Sequence, residues 1–181
     1  MLSRRDIIEE IESGDISIDP FDVNSVGPCS VDLHLSDRFT VFKTGTLIRT
    51  KDRTITSLRK VTELVDTNNE PFLLSPGQFI LASTVERIAI SKRFAAYLEG
   101  KSSNARLGII VHAAGLVNPG TGLKKPTTLT LEIFCMVNST IELVPGMGII
   151  QISFHELKTP ADIGYDEREK SRYVGLTNPR L

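Results

Sequence analysis

The chain carries at residues 100–108 the stretch Gly100-Lys101-Ser102-Ser103-Asn104-Ala105-Arg106-Leu107-Gly108, which is its most informative segment. The glycines allow a sharp backbone turn and a close approach to a ligand, and Ser102 and Ser103 can cap a short helical turn over the residues that follow. A helix start presents unpaired N–H groups, and Lys101 and Arg106 add cationic donors. This combination suits a phosphate-rich anion. Local chemistry leaves one alternative open, an ordinary capped turn with two solvated basic residues.

Length and composition restrict the class of protein. A chain of 181 residues is long enough for one domain with a core, and its 21 basic and 22 acidic residues give a net charge of −1. That balance argues against a general nucleic-acid-binding protein, which would carry a basic surplus. The chain has no long apolar run and opens on a polar, charged segment, so we expect a cytoplasmic protein without a membrane span. Cys29 and Cys135 are expected to be reduced core residues, with a disulfide as the less favoured alternative.

The hydrophobic pattern predicts an all-β domain with one short helix. Ser3 and Asp6 form a capping pattern, so we expect a helix over residues 3–13 that stops at Gly14. Residues 43–71 are polar and are predicted to be a surface excursion with one or two edge strands. Short strands are predicted at residues 30–35, 38–42, 72–74, 78–84, 87–90, 109–112, 128–136, 140–143 and 149–155. Many short strands separated by proline and glycine turns are typical of a β-sandwich, jelly roll or barrel.

Seven further segments, spread from the N-terminus to the C-terminal region, carry distinctive combinations of glycine, proline and polar residues. They are Ser3-Arg4-Arg5-Asp6-Ile7, Pro28-Cys29-Ser30-Val31-Asp32-Leu33-His34-Leu35, Ser75-Pro76-Gly77-Gln78-Phe79, Val111-His112-Ala113-Ala114-Gly115-Leu116-Val117-Asn118-Pro119-Gly120, Thr128-Leu129-Thr130-Leu131-Glu132-Ile133, Pro145-Gly146-Met147-Gly148-Ile149-Ile150-Gln151-Ile152-Ser153-Phe154 and Gly164-Tyr165-Asp166-Glu167-Arg168. Together with residues 100–108 they resemble the dCTP deaminase family, which belongs to the trimeric dUTPase superfamily. The resemblance implies a single domain over residues 1–181 with a distorted jelly-roll or β-barrel fold of dUTPase-like type. It also implies a homotrimer and a C-terminal lid arm over about residues 160–181.

The resemblance assigns catalysis to Glu132, Ser102 and Arg106. Glu132 matches the family's glutamate that activates water for attack at C4 of cytosine, while Ser102 and Arg106 orient base and water. From the pattern alone, Glu132 would instead be a solvated strand residue on the face shared by Thr128 and Thr130. No zinc is expected, because the chain has no Cys-x-x-Cys and its three histidines are scattered.

The resemblance also predicts a nucleotide site with Mg²⁺ bound through the phosphates, dCTP and dUTP as ligands, and dTTP as a candidate feedback inhibitor. Its predicted members are Lys101, Ser102, Ser103, Asn104, Ala105, Arg106, Ala114, Asn118, Thr130, Leu131, Glu132, Gln151, Tyr165 and Arg172. No residue is expected to bind a metal directly.

The sequence departs from the family pattern at several points. Lys101 stands for an arginine, Asn118 for an aspartate and Leu176 for a glutamine, and residues 121–127 form a turn that is about four residues longer than in the family. Asparagine accepts a hydrogen bond but cannot act as a base. Deamination of dCTP to dUTP is therefore the leading interpretation. The alternatives are a bifunctional enzyme that releases diphosphate and forms dUMP, a plain dUTPase, and a nucleotide-binding homologue without catalysis.

Overall fold

The computed structural model describes residues 1–51, 54–112 and 114–179, so Arg180 and Leu181 of the predicted arm lie outside the described ranges. The helices are α1 (Arg4–Ser13), α2 (Ile55–Val61) and α3 (Ser102–Ala105). The strands are β1 (Ile16–Asp19), β2 (Val31–Phe42), β3 (Thr62–Asp66), β4 (Phe72–Leu74), β5 (Phe79–Ile90), β6 (Phe94–Gly100), β7 (Ile109–His112), β8 (Leu116–Val117), β9 (Thr127–Cys135), β10 (Ile141–Leu143) and β11 (Gly148–Glu156).

One large antiparallel sheet forms the body of the protein. Its strand order is β7-β9-β5-β2-β11-β6-β8, with β1 added to β5 and β3 added to β2, while β4 and β10 form a separate pair. The sheet curls into a half-barrel, which brings β6 towards β7: a Cβ added at Gly100 would lie 3.2 Å from the carbonyl oxygen of Val111. The predicted all-β class and barrel-like curvature are therefore confirmed.

The core is formed by one face of the curled sheet. Alternate positions along the strands point inwards, as the period of two requires, and Leu33, Phe39, Ile80, Ile88 and Phe154 are completely buried. Full burial of such a side chain stabilises the fold by about 1.5–3 kcal/mol.

The N-terminal helix α1 follows the predicted capping pattern. The Ser3 hydroxyl accepts from the Asp6 backbone N–H, and the Asp6 carboxylate accepts from the Ser3 N–H at 2.8 Å. Gly14 ends the helix in the left-handed region, with φ of 86°, and Ile7 packs fully buried against the body. The prediction of a helix over 3–13 is confirmed.

Four features of the observed fold differ from the sequence prediction. Strands β2 and β5 are each continuous across a register shift where two shorter strands were expected, because a bulge interrupts the alternation without ending the strand. The polar excursion contains helix α2, capped by Thr54, before the edge strand β3. Strands β1, β6 and β8 were not predicted. Cys135 is buried as expected but Cys29 is exposed in a loop, so its assignment to the core was wrong; both are free thiols.

Candidate functional site

Glu132 lies on β9, in the middle of the sheet, between β5 and β7. Its register partners are Leu81 and His112. The neighbouring side chains of Leu131 and Ile133 are completely buried in the core, so Glu132 points to the opposite face, as the alternation predicted. This face is not open solvent: it lines a cavity of about 410 Å³. A cavity of this size lies within the range that small-molecule ligands occupy.

The carboxyl group of Glu132 is partly buried and incompletely hydrogen-bonded. Its Oε2 atom is buried and finds no hydrogen-bond partner among the described residues. Burial raises the pKa of this carboxyl above its ordinary value, because the charged form is poorly solvated. The backbone N–H groups of Glu132 and Ala114 and the charge of His112 oppose that increase in pKa. A carboxyl with a raised pKa holds a proton up to a higher pH than an ordinary glutamate, and a group of this kind can serve in proton transfer.

Five predicted site residues line this one cavity: Ala114, Asn118, Thr130, Glu132 and Tyr165. The cavity also includes Leu81, Leu98, Leu116, Val117, Thr121, Thr127, Thr128, Leu129, Tyr173 and Leu176. The turn that carries Asn118 is fixed by Thr121, whose hydroxyl donates to the Asn118 carbonyl at 2.7 Å.

Sequence reasoning did not include Thr127, Thr128, Thr121 or Tyr173 in the site. The signal for Thr128 was present, since it lies on the same strand face as Thr130 and Glu132. Thr127 begins β9 and, by the alternation, points away from the face of Thr128. Thr121 and Tyr173 lie in a turn and in the arm, where no period indicates which way a side chain points.

The segment at residues 100–108 lies outside this cavity. Ser102, Ser103, Ala105 and Arg106 are exposed on and beside helix α3, and none of them lines the cavity that contains Glu132. The expectation that a serine caps this helix is wrong, because Lys101 occupies the N-cap position and makes no side-chain capping bond.

Lys101 and Asn104 have partners within the chain. The Lys101 ammonium forms an ion pair with the Asp32 carboxylate. Asn104 is 6% exposed and its amide donates to the carbonyl oxygens of Gly148 at 3.0 Å and Ile149 at 3.3 Å. The Asn104 side chain therefore joins α3 to β11.

The three remaining predicted residues also lie outside the cavity lining. Leu131 is completely buried, so any contact with a ligand is left to its backbone. Gln151 lies on β11 and accepts a hydrogen bond from the Ser30 hydroxyl at 3.2 Å. Arg172 is exposed on the arm, next to Tyr173.

Among the described residues, the side chains form no metal-binding cluster and the helices offer no membrane span. Across residues 1–51, 54–112 and 114–179, no three His, Cys, Asp or Glu side chains form a group that could hold a metal ion. The helices within those ranges all lack the length and apolar character needed to span a membrane.

Comparison with known proteins places this geometry in a family. A dCTP deaminase of Natronomonas pharaonis is 39% identical over 187 residues, covering 99% of this chain and 92% of that protein. A dUMP-forming dCTP deaminase of Streptomyces coelicolor is 40% identical over 182 residues, with the same coverage. The crystal structure of 2′-deoxycytidine 5′-triphosphate deaminase from Agrobacterium tumefaciens has a similar fold, with a TM-score of 0.66 and 22% identity over 86% of this chain and 48% of that chain. The family model for dCTP deaminase-like proteins matches residues 1–157, and the chain belongs to this family.

Proposed function

We propose that this protein deaminates dCTP to dUTP by hydrolysis and so supplies the precursor of dUMP and dTTP. The observation that carries the proposal is the Glu132 carboxyl, half-buried on the cavity with one oxygen unpartnered among the described residues and with a raised pKa. A buried carboxyl without a full set of hydrogen bonds is costly to the fold, which suggests that it serves a ligand.

In the proposed reaction, Glu132 acts first as general base and then as general acid. It takes a proton from water as the water oxygen bonds to C4 of cytosine, and gives that proton to N3. It then moves the proton of the new hydroxyl to the departing amine, the C4–N bond breaks, and ammonia leaves. No zinc is required for this sequence of steps, and the chain lacks the Cys-x-x-Cys of zinc deaminases.

We further propose that Ser102 and Arg106 reach this cavity from a second copy of the chain in a homotrimer. Both side chains are exposed and absent from the lining of their own chain's cavity. An exposed apolar row also crosses the outer face of the sheet, where Ile110, Phe134 and Phe79 are neighbours on β7, β9 and β5 and are each more than a third exposed. Contiguous exposed apolar side chains of this kind mark contact surfaces between proteins.

Co-expression of two inactive variants tests this sharing of the site. If Glu132 and Arg106 of different copies form one site, Glu132→Gln and Arg106→Ala chains should each be inactive alone. The co-expressed mixture as a whole should then recover about a quarter of the wild-type activity, because random assembly at equal amounts joins two intact contributions in about that fraction of sites. Mixed trimers that stay inactive would show that both residues must come from one chain.

The triphosphate is proposed to contact Lys101, Ser103, Tyr165 and Arg172, with Mg²⁺ bound through the phosphates and neutralising their charge. Since the described residues offer no three-carboxylate group, such an ion would depend on the nucleotide for most of its ligands, as Mg²⁺ commonly does. The Lys101–Asp32 ion pair would have to loosen for Lys101 to reach a phosphate. We also propose dTTP as a competing inhibitor, since it carries the same deoxyribose and triphosphate.

The product is proposed to be dUTP because Asn118, a neutral amide, lies on the cavity where a carboxylate would be needed to activate a second water. The second candidate is dUMP formation, which the Streptomyces coelicolor relative's name favours. Incubating the protein with dCTP or dUTP and Mg²⁺, and separating dUTP, dUMP and diphosphate, distinguishes the two. Accumulation of dUTP supports deamination alone, matched dUMP and diphosphate support the bifunctional reaction, and unchanged dCTP refutes the proposed function.

A further inference from the structure

The pairing of strands β5 and β9 is interrupted in the wall of the cavity of about 410 Å³. Ser83 pairs with Thr130, and the next pair along the two strands is Arg87 with Thr128. Three residues of β5, at positions 84–86, therefore face the single residue Leu129 on β9. A bulge of this kind disrupts the regular hydrogen bonds of the ladder and redirects the strand. All three residues 128–130 line the cavity, so the bulge affects the shape of its wall.

The Thr84 hydroxyl bridges the bulge. It accepts from the Leu129 backbone N–H at 3.0 Å and donates to the Glu86 backbone carbonyl at 2.7 Å. Because a hydroxyl has one proton to donate and can also accept, these two bonds use Thr84 in both capacities. Thr84 is 1% exposed, so water cannot replace it as the acceptor for the Leu129 N–H unless the strands separate.

The side chain of Glu86 fixes the other side of the same bulge. It is buried and turns towards β2, where its Oε2 atom accepts from the His34 backbone N–H at 2.9 Å. Its Oε1 atom lies 2.6 Å from the His34 ring nitrogen Nδ1. The bulge is therefore tied to β9 through Thr84 and to β2 through Glu86, so its backbone has little freedom to shift between the two neighbouring strands.

Glu132 is held independently of the bulge. It pairs with Leu81 on β5 and with His112 on β7, within stretches where both ladders keep their register. Loss of the Thr84 hydroxyl should therefore displace the backbone of residues 128–130 more than it displaces the Glu132 carboxyl.

We propose that Thr84 is a positioning residue for nucleotide binding, because its hydroxyl fixes the wall of the cavity at residues 128–130. Thr84 is not among the described residues that line the cavity, so it acts through Leu129 and does not touch the ligand. The role of Thr84 in binding dCTP rests on the proposed function, whereas its contact with Leu129 does not.

Hydrogen exchange at the Leu129 amide tests the contact without any turnover. Thr84→Val keeps the shape but removes the hydroxyl, so the Leu129 N–H loses its acceptor and should exchange roughly five- to tenfold faster than in the wild type. Thr84→Ser keeps a hydroxyl and should exchange near the wild-type rate. Equal exchange in Thr84→Val and wild type would overturn the claim that Thr84 holds Leu129.

Steady-state kinetics with dCTP test the consequence for binding. In Thr84→Val, KM should rise roughly five- to tenfold while kcat changes by less than about twofold, and Thr84→Ser should restore KM. Ile7→Val is the control for a general loss of stability, because Ile7 is completely buried on α1, which packs mainly against β1. Its KM should equal that of the wild type. An unchanged KM in Thr84→Val, or an equal rise of KM in Ile7→Val, would overturn the positioning role.

The two proposals fail on different results. If the wild type leaves dCTP unchanged, the proposed function fails, and the role of Thr84 in binding dCTP fails with it. If the wild type deaminates dCTP and Thr84→Val has the wild-type KM, only the positioning role of Thr84 fails.

Discussion

Replacing Glu132 by glutamine should separate the chemistry of this carboxyl from its cost to the fold. Glu132 is the only carboxylate among the described residues that line the cavity, so Glu132→Gln leaves no group there to take its place as base. General acid–base catalysis contributes about 10²–10⁴-fold, and because one residue handles each proton transfer we expect a loss near the upper limit. A loss of 10⁴-fold corresponds to about 5 kcal/mol in the activation barrier. The rate of dUTP formation from dCTP measures it.

The same variant should be more stable than the wild type above the raised pKa of Glu132. Burial raises the pKa of the native Glu132 carboxyl, so the native state binds more protons than the unfolded state between the ordinary and the raised pKa. Stability of the wild type therefore falls as pH rises through that window. Glutamine cannot lose a proton, so the variant should melt at a higher temperature than wild type above the window and lose this advantage below the ordinary pKa of glutamate.

Glu99→Gln is the matched control for both measurements. Glu99 is an exposed strand residue on β6 and does not line the cavity, so activity and melting temperature should stay near the wild-type values. The reasoning fails if Glu132→Gln keeps a rate near wild type. The claim that the buried Glu132 carboxylate destabilises the fold fails if the difference in melting temperature between Glu132→Gln and wild type is independent of pH.

Three further predictions concern assembly, product and backbone. The solution mass should be that of a trimer at micromolar concentration, and a fully active monomer would contradict the shared site. Asn118→Asp should raise the yield of dUMP from dCTP, measured by separation of the nucleotides, whereas an unchanged product ratio would remove Asn118 as the reason for dUTP release. Gly122→Ala places a Cβ 2.1 Å from the Ile88 carbonyl oxygen, whereas Gly77→Ala, also at positive φ, meets nothing within 4 Å. We therefore expect Gly122→Ala to lower the free energy of unfolding by about 1–3 kcal/mol more than Gly77→Ala, measured by denaturant unfolding. Equal losses of stability in the two variants would contradict the close contact between Gly122 and Ile88.

The parts of the fold that sequence could predict are those with a local chemical cause. The cap formed by Ser3 and Asp6 and the stop at Gly14 define helix α1 without help from the rest of the chain. The alternation along β9 likewise put Glu132 and Thr130 on one face. Helix α2 was missed although Ile55, Leu58 and Val61 recur at every third residue, because seven residues within a polar stretch are too few to identify a helix. Strand β1 was missed because four residues are too few to show a period.

The candidate site was harder to predict, since much of it depends on contacts between distant segments. The pattern could not show that the Asn104 amide is used to hold β11, because its acceptors are backbone carbonyls that carry no sequence signal. The position of Leu176 could not be predicted either, because its backbone N–H and carbonyl make the hydrogen bonds to Thr127 and Thr128. The turn at residues 121–127 could be identified as long, but its contact with the arm required the fold.

Deamination in heavy-oxygen water is the measurement that tests the central claim most directly. If Glu132 delivers water to C4 of cytosine, the protein should place one heavy oxygen in the uracil ring of dUTP, release ammonia, and leave the phosphates unlabelled. The Glu132→Gln chain should incorporate almost none over the same time. Uracil formed without the heavy oxygen, or labelled equally fast by the glutamine variant, would contradict the assignment of Glu132 as the base that activates water.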